Sequence, residues 1–375
     1  MPEPLNISFF GSSLVSAWWN GAATYYRGIV RALAARGHHI TFYEPDAYDR
    51  QLHRDIADPD WARVVVYPAA SASGVLHTLE DAAGADILVK ASGVGVFDRL
   101  LEEAVLEYRS SRTAIVFWDV DAPATLDRVR SGGDYFASLI PRYDLILTYG
   151  GGDPVVEAYA ELGARQCAPV YNALDPETHH PAPPDPRFAG DLAFLGNRMP
   201  DREARVDEFF FQVARLSSGR FLLGGNGWES KSMPANVNYI GHVYTRDHNA
   251  FNSTPKAVLN ISRESMARYG FSPATRVFEA AGAQACILTD RWPGIELFLE
   301  PDEEILVCDS GYAAAEHLRS LTPARARAIG ERASRHILAC HTYAHRAALV
   351  EALLTGRKAS FPDRARPKTS SGAVS

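Results

Sequence analysis

The chain has 375 residues, which at roughly 150 residues per domain suits two domains better than one. Apolar residues make up 46% and charged residues 22%, which excludes a wholly disordered chain and a coiled coil. With 38 Lys and Arg against 45 Asp and Glu the net charge is −7, so the basic surplus of a nonspecific nucleic-acid binder is missing.

In chain order, an apolar run at 7–10 predicts a buried strand, followed by a glycine-containing loop and a helix over 22–36. In that helix Tyr26, Ile29, Val30 and Leu33 recur at three- and four-residue spacing, and Gly37 sits where a helix ends. Further strands are expected at 39–43, 63–67, 86–90, 113–118, 144–148 and 167–171, with helices at 97–108 and 154–162. Strands separated by helices need crossover connections, hence a mostly parallel sheet covered on both faces. Residues 1–174 therefore read as a Rossmann-like domain.

Between Asp175 and Pro186 the composition shifts to Pro176, Pro181, Pro183, Pro184 and Pro186 with few aliphatic side chains. Proline fixes φ and removes amide donors, so 175–190 is expected to be a linker. Strands resume at 191–195, 220–223, 257–261, 286–289 and 304–307, with helices at 201–216, 273–283 and 323–339. A second Rossmann-like domain over 191–340 follows, then a C-terminal helix at 341–354. The expected fold class is α/β, two Rossmann-like domains with a ligand cleft between them at the strand C-termini. The tail 355–375 is basic, rich in Pro and Ser, and reads as disordered.

The four cysteines stand far apart without a CxxC pair, which fits a reducing compartment. The amino terminus has no positively charged start before an apolar core, and no apolar run reaches the roughly 18 residues of a membrane span. A cytoplasmic protein is expected.

The segment 269–299, YGFSPATRVFEAAGAQACILTDRWPGIELFL, is the most informative. Pro273 suits a first helical turn, and Arg276 and Glu279, three apart, share a face near the helix start. Free amides and the positive dipole end favour a bound phosphate there. An arginine would fork onto its oxygens, and a carboxylate one turn later can accept both hydrogens of a ribose diol. The alternative is a solvated ion pair worth under about 1 kcal/mol.

This segment resembles the donor-binding region of GT-B glycosyltransferases. The chain is similar in particular to spore-maturation-protein-type (CgeB-like) glycosyltransferases, through FLGNRMPDRE (194–203), FLLGGNGW (221–228), NVNYIGHV (236–243), the stretch 258–280 and HTYAHR (341–346). FWDVDAP (117–123), YDLILTYGGG (143–152) and YNALDP (171–176) extend the likeness into the first half. The resemblance implies metal-independent transfer of a sugar from a nucleotide diphosphate donor to the hydroxyl of an acceptor it does not identify, with no cofactor beyond the donor itself. Glu279 would bond the donor ribose, and Arg276 and Arg263 would contact phosphate or donor. Gly196, Asn197 and Arg198 would approach the diphosphate from the first loop of the second domain. Many retaining relatives carry a glutamate eight residues before the ribose glutamate; here that position is Phe271, which leaves the stereochemical outcome open. A sugar-nucleotide epimerase and a non-catalytic nucleotide-sugar-binding protein are the alternative functions on this architecture.

Asp119 and Asp121 follow an apolar strand. Asp121 is a base or acceptor contact on the acceptor side of the cleft, one of a pair holding a divalent cation, or a structural loop carboxylate. Asn20 and Gly21 mark an acceptor-side loop where a glycine admits a ligand close to the backbone. The dinucleotide fingerprint is absent there, and GVGVFD (93–98) has Asp98 where its third glycine belongs. The histidines are not ligand-spaced and read as surface or helix-end residues, with His242 facing the cleft as the alternative. Trp18, Trp19 and Trp228 read as core, or as stacking partners for a sugar or base.

Overall fold

The computed structural model describes residues 3–18 and 20–356. Trp19 and the 357–375 part of the tail lie outside the described residues. Seven parallel strands form the first sheet: β1 (Asn6–Phe10), β2 (His39–Asp46), β3 (Arg63–Pro68), β4 (Ile87–Ala91), β5 (Ala114–Asp119), β6 (Leu145–Thr148) and β7 (Cys167–Pro169). Their order across the sheet is β3-β2-β1-β4-β5-β6-β7. The second sheet has six: β8 (Leu192–Leu195), β9 (Phe221–Gly224), β10 (Val237–Gly241), β11 (Ala257–Asn260), β12 (Ile287–Asp290) and β13 (Leu306–Cys308), in the order β10-β9-β8-β11-β12-β13.

Both faces of each sheet are buried, which is why the strands are continuous aliphatic and aromatic runs rather than alternating ones. In the first sheet Phe10, Leu88, Ile115 and Phe117 pack into one core. Their sequence neighbours Phe9, Val89, Val116 and Trp118 pack into the core on the other side, as the two-residue repeat of a strand requires. The second sheet divides likewise, with Phe194, Leu223 and Leu259 on one side and Ala193, Leu222 and Val258 on the other.

No strand or α-helix interrupts 175–190; its one regular element is a single 3₁₀ turn, Pro186–Phe188. The final helix, Tyr343–Leu354, crosses back and packs on the helix Ala23–Ala35 of the first sheet. Gly28 is required there, because a Cβ would lie 2.2 Å from the Tyr343 ring. Arg346, fully buried, donates to the carbonyls of Tyr171 and Asn172 at 3.2 Å and fastens this helix to the chain leaving β7. His345 is a helix-end residue, closing a capping box with Thr342.

Each sheet reverses its strand order once, between β1 and β4 and between β8 and β11. Crevices open outside the carboxyl ends of strands at such reversals, and the two of this molecule lie on opposite walls of one cavity.

Candidate functional site

The cavity encloses about 760 Å³. Ser12, Arg50 and Gly93 form the first-domain wall, Arg202, Ser262 and Arg263 the second-domain wall, and Asp121, Tyr149 and Thr275 lie between. The walls are joined at one end. Tyr149 Oη and Thr275 Oγ1 are 3.4 Å apart, and Phe271 and Ser272 rest on Gly150 and Gly152.

On the second-domain wall the helix Thr275–Gly282 begins without a side-chain cap and without an acidic residue in its first turn. Ala274 and Thr275 line the cavity, so uncapped amides and a positive dipole end lie at its edge. Among the described residues Arg276 is in no ion pair, with Glu279 or any other carboxylate, which removes the surface-pair alternative. Burial lowers its pKa and the more distant Glu279 acts in the opposite sense. Glu279 is 19% exposed and faces the buried His179 of the linker at 3.7 Å, not bulk solvent. Neither side chain lines the cavity itself; both flank it.

The first loop of this domain differs from expectation. Arg198 turns outward and holds Glu203 through two hydrogen bonds of 2.8 Å, in a surface cluster with Lys231 and Asp207. The arginine that enters the cavity is Arg202, on the helix Pro200–Val206. Asn197 positions it, and Gly196 is tied to the Trp228 loop. The Gly196 carbonyl accepts from Trp228 Nε1 at 2.7 Å, and the Asn197 carbonyl accepts from Arg202 at 2.6 Å. The Arg202 Nε is buried without a partner. Desolvation first, then the neighbouring charge of Arg276, lowers the Arg202 pKa to about 10. Arg263 also lines the cavity but is bonded to Asp201 at 2.6 Å. Arg202, lining the cavity, and Arg276, flanking it, are thus two adjacent cations that no described carboxylate pairs with, an arrangement suited to an anion.

On the first-domain wall Asp119 is structural. It is fully buried and accepts from Ser92 at 2.8 Å, the Asp121 amide at 3.0 Å, Thr125 at 3.1 Å and Tyr159 at 2.6 Å. With its lone pairs so occupied it is a poor ligand for a cation shared with Asp121. Among the described residues no cluster of three His, Cys, Asp or Glu side chains forms a metal site. Asp121 heads the helix Ala122–Arg130 and opens on the cavity. Burial, reinforced by Asp119 and opposed by Arg263, raises its carboxyl above the usual range.

Asn20 lies on the cavity, but its side chain is committed to the loop. It donates to the Ser13 and Ser16 carbonyls at 2.8 and 3.0 Å and accepts from Ser12 at 2.8 Å. Gly21 lines the cavity with open space where a Cβ would stand, as close ligand approach requires. Asp98 accepts from Lys90 and from the amides of Val94 and Gly95, so the near-miss glycine motif is a loop tie. Trp228 is core, whereas Trp18 is 43% exposed and stacked on His53. His242 is exposed beside Tyr244.

A family described as glycosyl transferase-like matches residues 202–352. No curated protein matches the chain. Among solved structures, sucrose-phosphate synthase from Thermosynechococcus elongatus is 14% identical, with TM-score 0.68 over 94% of this chain and 98% of that one. HepE from Anabaena, solved with UDP and glucose, is 11% identical, with TM-score 0.67 over 94% of this chain and all of that one. The β-glucosyltransferase of T4 phage is 12% identical, with TM-score 0.57 over 93% and 99%. The chain has the α/β fold of these enzymes throughout its described length: two parallel sheets facing each other across a cleft, the GT-B architecture.

Proposed function

We propose that the protein is a metal-independent glycosyltransferase that moves a sugar from a nucleoside diphosphate donor to an acceptor hydroxyl. One observation carries the reading: Arg202 and Arg276, neither paired with a carboxylate, stand beside the uncapped start of the helix Thr275–Gly282. A diphosphate is the group that arrangement suits. As the C1–O bond breaks, its electron pair leaves with the diphosphate. Fixed cations there lower the barrier, each contact being worth on the order of 2–4 kcal/mol. Asp121, across the cavity, takes the acceptor hydroxyl proton as the new glycosidic bond forms. Glu279, one turn into the helix, receives the donor ribose hydroxyls, and closure of the cleft keeps water from hydrolysing the donor.

The family match over 202–352 supports a glycosyltransferase, and the ordered strings from 194 to 299 are what favours the spore-maturation-protein-type subgroup. HepE was solved with UDP and glucose, which makes UDP sugars the first donors to try. The four free thiols agree with a cytoplasmic setting; among the described residues no helix is long and apolar enough to cross a membrane.

The test is calorimetric titration of UDP, GDP and dTDP and their sugars in the presence of a chelator, followed by product analysis with and without acceptors. Micromolar binding of one nucleotide and acceptor-dependent consumption of its sugar are expected. A protein that binds none of them refutes the proposal. Turnover without an acceptor would indicate an epimerase or hydrolase instead.

A further inference from the structure

The first-domain crevice holds an arginine of its own, across the cavity from Arg202. Arg50 lies outside the carboxyl ends of β1, β2 and β4, at the strand reversal of the first sheet, and is only 5% exposed. Two consecutive left-handed residues that are not glycine, Tyr48 (φ 58°) and Asp49 (φ 56°), turn the chain so that it points inward. Such strain persists where the surroundings impose it and is commonest at functional sites. The Tyr48 hydroxyl, bonded to the Gly95 carbonyl, fixes the turn, and the guanidinium packs over the Tyr48 ring at 5.0 Å.

One Arg50 nitrogen, Nη1, donates to the carbonyls of Ser12 at 2.9 Å and Val94 at 3.3 Å, while Nε is buried with no partner. Among the described residues no carboxylate lies within ion-pair distance, and the nearby acids are spent elsewhere. Glu44 accepts from Ser13, Leu14 and Gln51, and Asp98 from Lys90, Val94 and Gly95. Glu102 accepts from Tyr135. A charged donor buried against a cavity with part of its fork unused costs stability unless a ligand completes it.

We infer that Arg50 receives an anionic group of the acceptor, a carboxylate or phosphate monoester carried on a polyhydroxylated molecule. The inference rests on the glycosyltransferase reading for the word acceptor, but the anion site stands on Arg50 alone. The two anion-binding regions of the cleft are then distinct: Arg202 and Arg276 hold the leaving diphosphate, and Arg50 orients the molecule that receives the sugar. A planar fork suits either anion.

The experiment uses the full chain, with and without saturating nucleotide, titrated with glucose, glucuronate and glucose 6-phosphate. The wild-type protein should bind at least one charged sugar tenfold or more tighter than glucose, and which one distinguishes carboxylate from phosphate. R50Q should erase that preference while leaving nucleotide affinity unchanged, and R50K should retain part of it. R202A should weaken the nucleotide and keep the preference. A preference that survives in R50Q, or that disappears in R202A but not in R50Q, overturns the assignment and leaves the donor site standing. Equal binding of glucose and both anions to the wild type also overturns it. Should R50Q fail to fold, R50K decides: undiminished preference for the anion over glucose, with or without nucleotide, counts against a role for the fork.

Discussion

The carbonyl of Phe271 accepts the amide hydrogen of Gly151 at 2.7 Å, so the position that carries a glutamate in many retaining relatives is here a tie between the two domains. The Phe271 amide donates to Pro293 within its own domain at 2.7 Å, and its ring fits against Gly152 and Gly294. Gly152 has φ +53°, and a Cβ there would lie 2.6 Å from the Phe271 ring. Gly152→Val therefore combines a left-handed conformation that a β-branched residue resists with a clash at this inter-domain contact. It should destabilise the protein by about 2–4 kcal/mol, read as a lowered thermal midpoint. An unchanged midpoint would show that the tie contributes nothing.

Arg202→Ala should weaken nucleoside diphosphate binding by about 10- to 100-fold, the range for a charge-assisted contact. Arg198→Ala should leave it unchanged, because that guanidinium is bound to Glu203 on the outer surface. Calorimetry on both proteins decides between them. A large loss in Arg198→Ala with none in Arg202→Ala would mean that the loop rearranges on binding and that the sequence-based choice was the better one.

The contrast shows what the sequence makes legible. Strands such as β5 and β12 are readable because burial on both faces demands uninterrupted apolar runs, and the helix carrying Arg276 and Glu279 is readable from its spacing. Arg202 is not, since in RMPDRE it looks like one more charge on a solvated helix turn. The glutamate that neutralises Arg198 is only five residues away, and that spacing was the available signal. Arg50 is harder still, because nothing in the residue types at 48 and 49 announces a left-handed turn. Asn20 is expected from the sequence to mark an acceptor-side loop, but the sequence does not reveal that Ser12, Ser13 and Ser16 occupy its amide.

Asp121→Asn should lower the transfer rate by about 10²- to 10⁴-fold, the usual contribution of a positioned base, with donor affinity retained. Because burial and Asp119 raise the Asp121 carboxyl, the acid limb of kcat/KM should fall at a pH above the ordinary aspartate value of about 3.9. Arg263 opposes that rise, so Arg263→Met should move the limb to still higher pH. A limb that stays in place in Arg263→Met, or that persists in the residual activity of Asp121→Asn, would assign the base elsewhere.

Stability against acid should depend on Asp98. Burial disfavours its ionised form, but the fully buried Lys90 at 2.8 Å and the amides of Gly95 and Val94 outweigh that and hold its carboxyl below the usual range. A carboxylate with a depressed folded-state pKa contributes stability that is present above its unfolded value, about 3.9, and disappears as pH falls through the folded value. Asp98→Asn removes the nearest carboxylate from the Lys90 ammonium, leaving it the Ala91 carbonyl at 2.6 Å and Glu102 at 3.8 Å, and should cost about 3 kcal/mol at neutral pH, the lower end for breaking a buried pair. The gap to wild type should be full at pH 6 and narrow as the pH drops below about 4, when the wild-type carboxylate takes up its proton. Urea unfolding of both proteins from pH 7 to pH 3 measures it. A gap that is constant over this range would mean that Asp98 acts through its shape and hydrogen bonds and not through its charge.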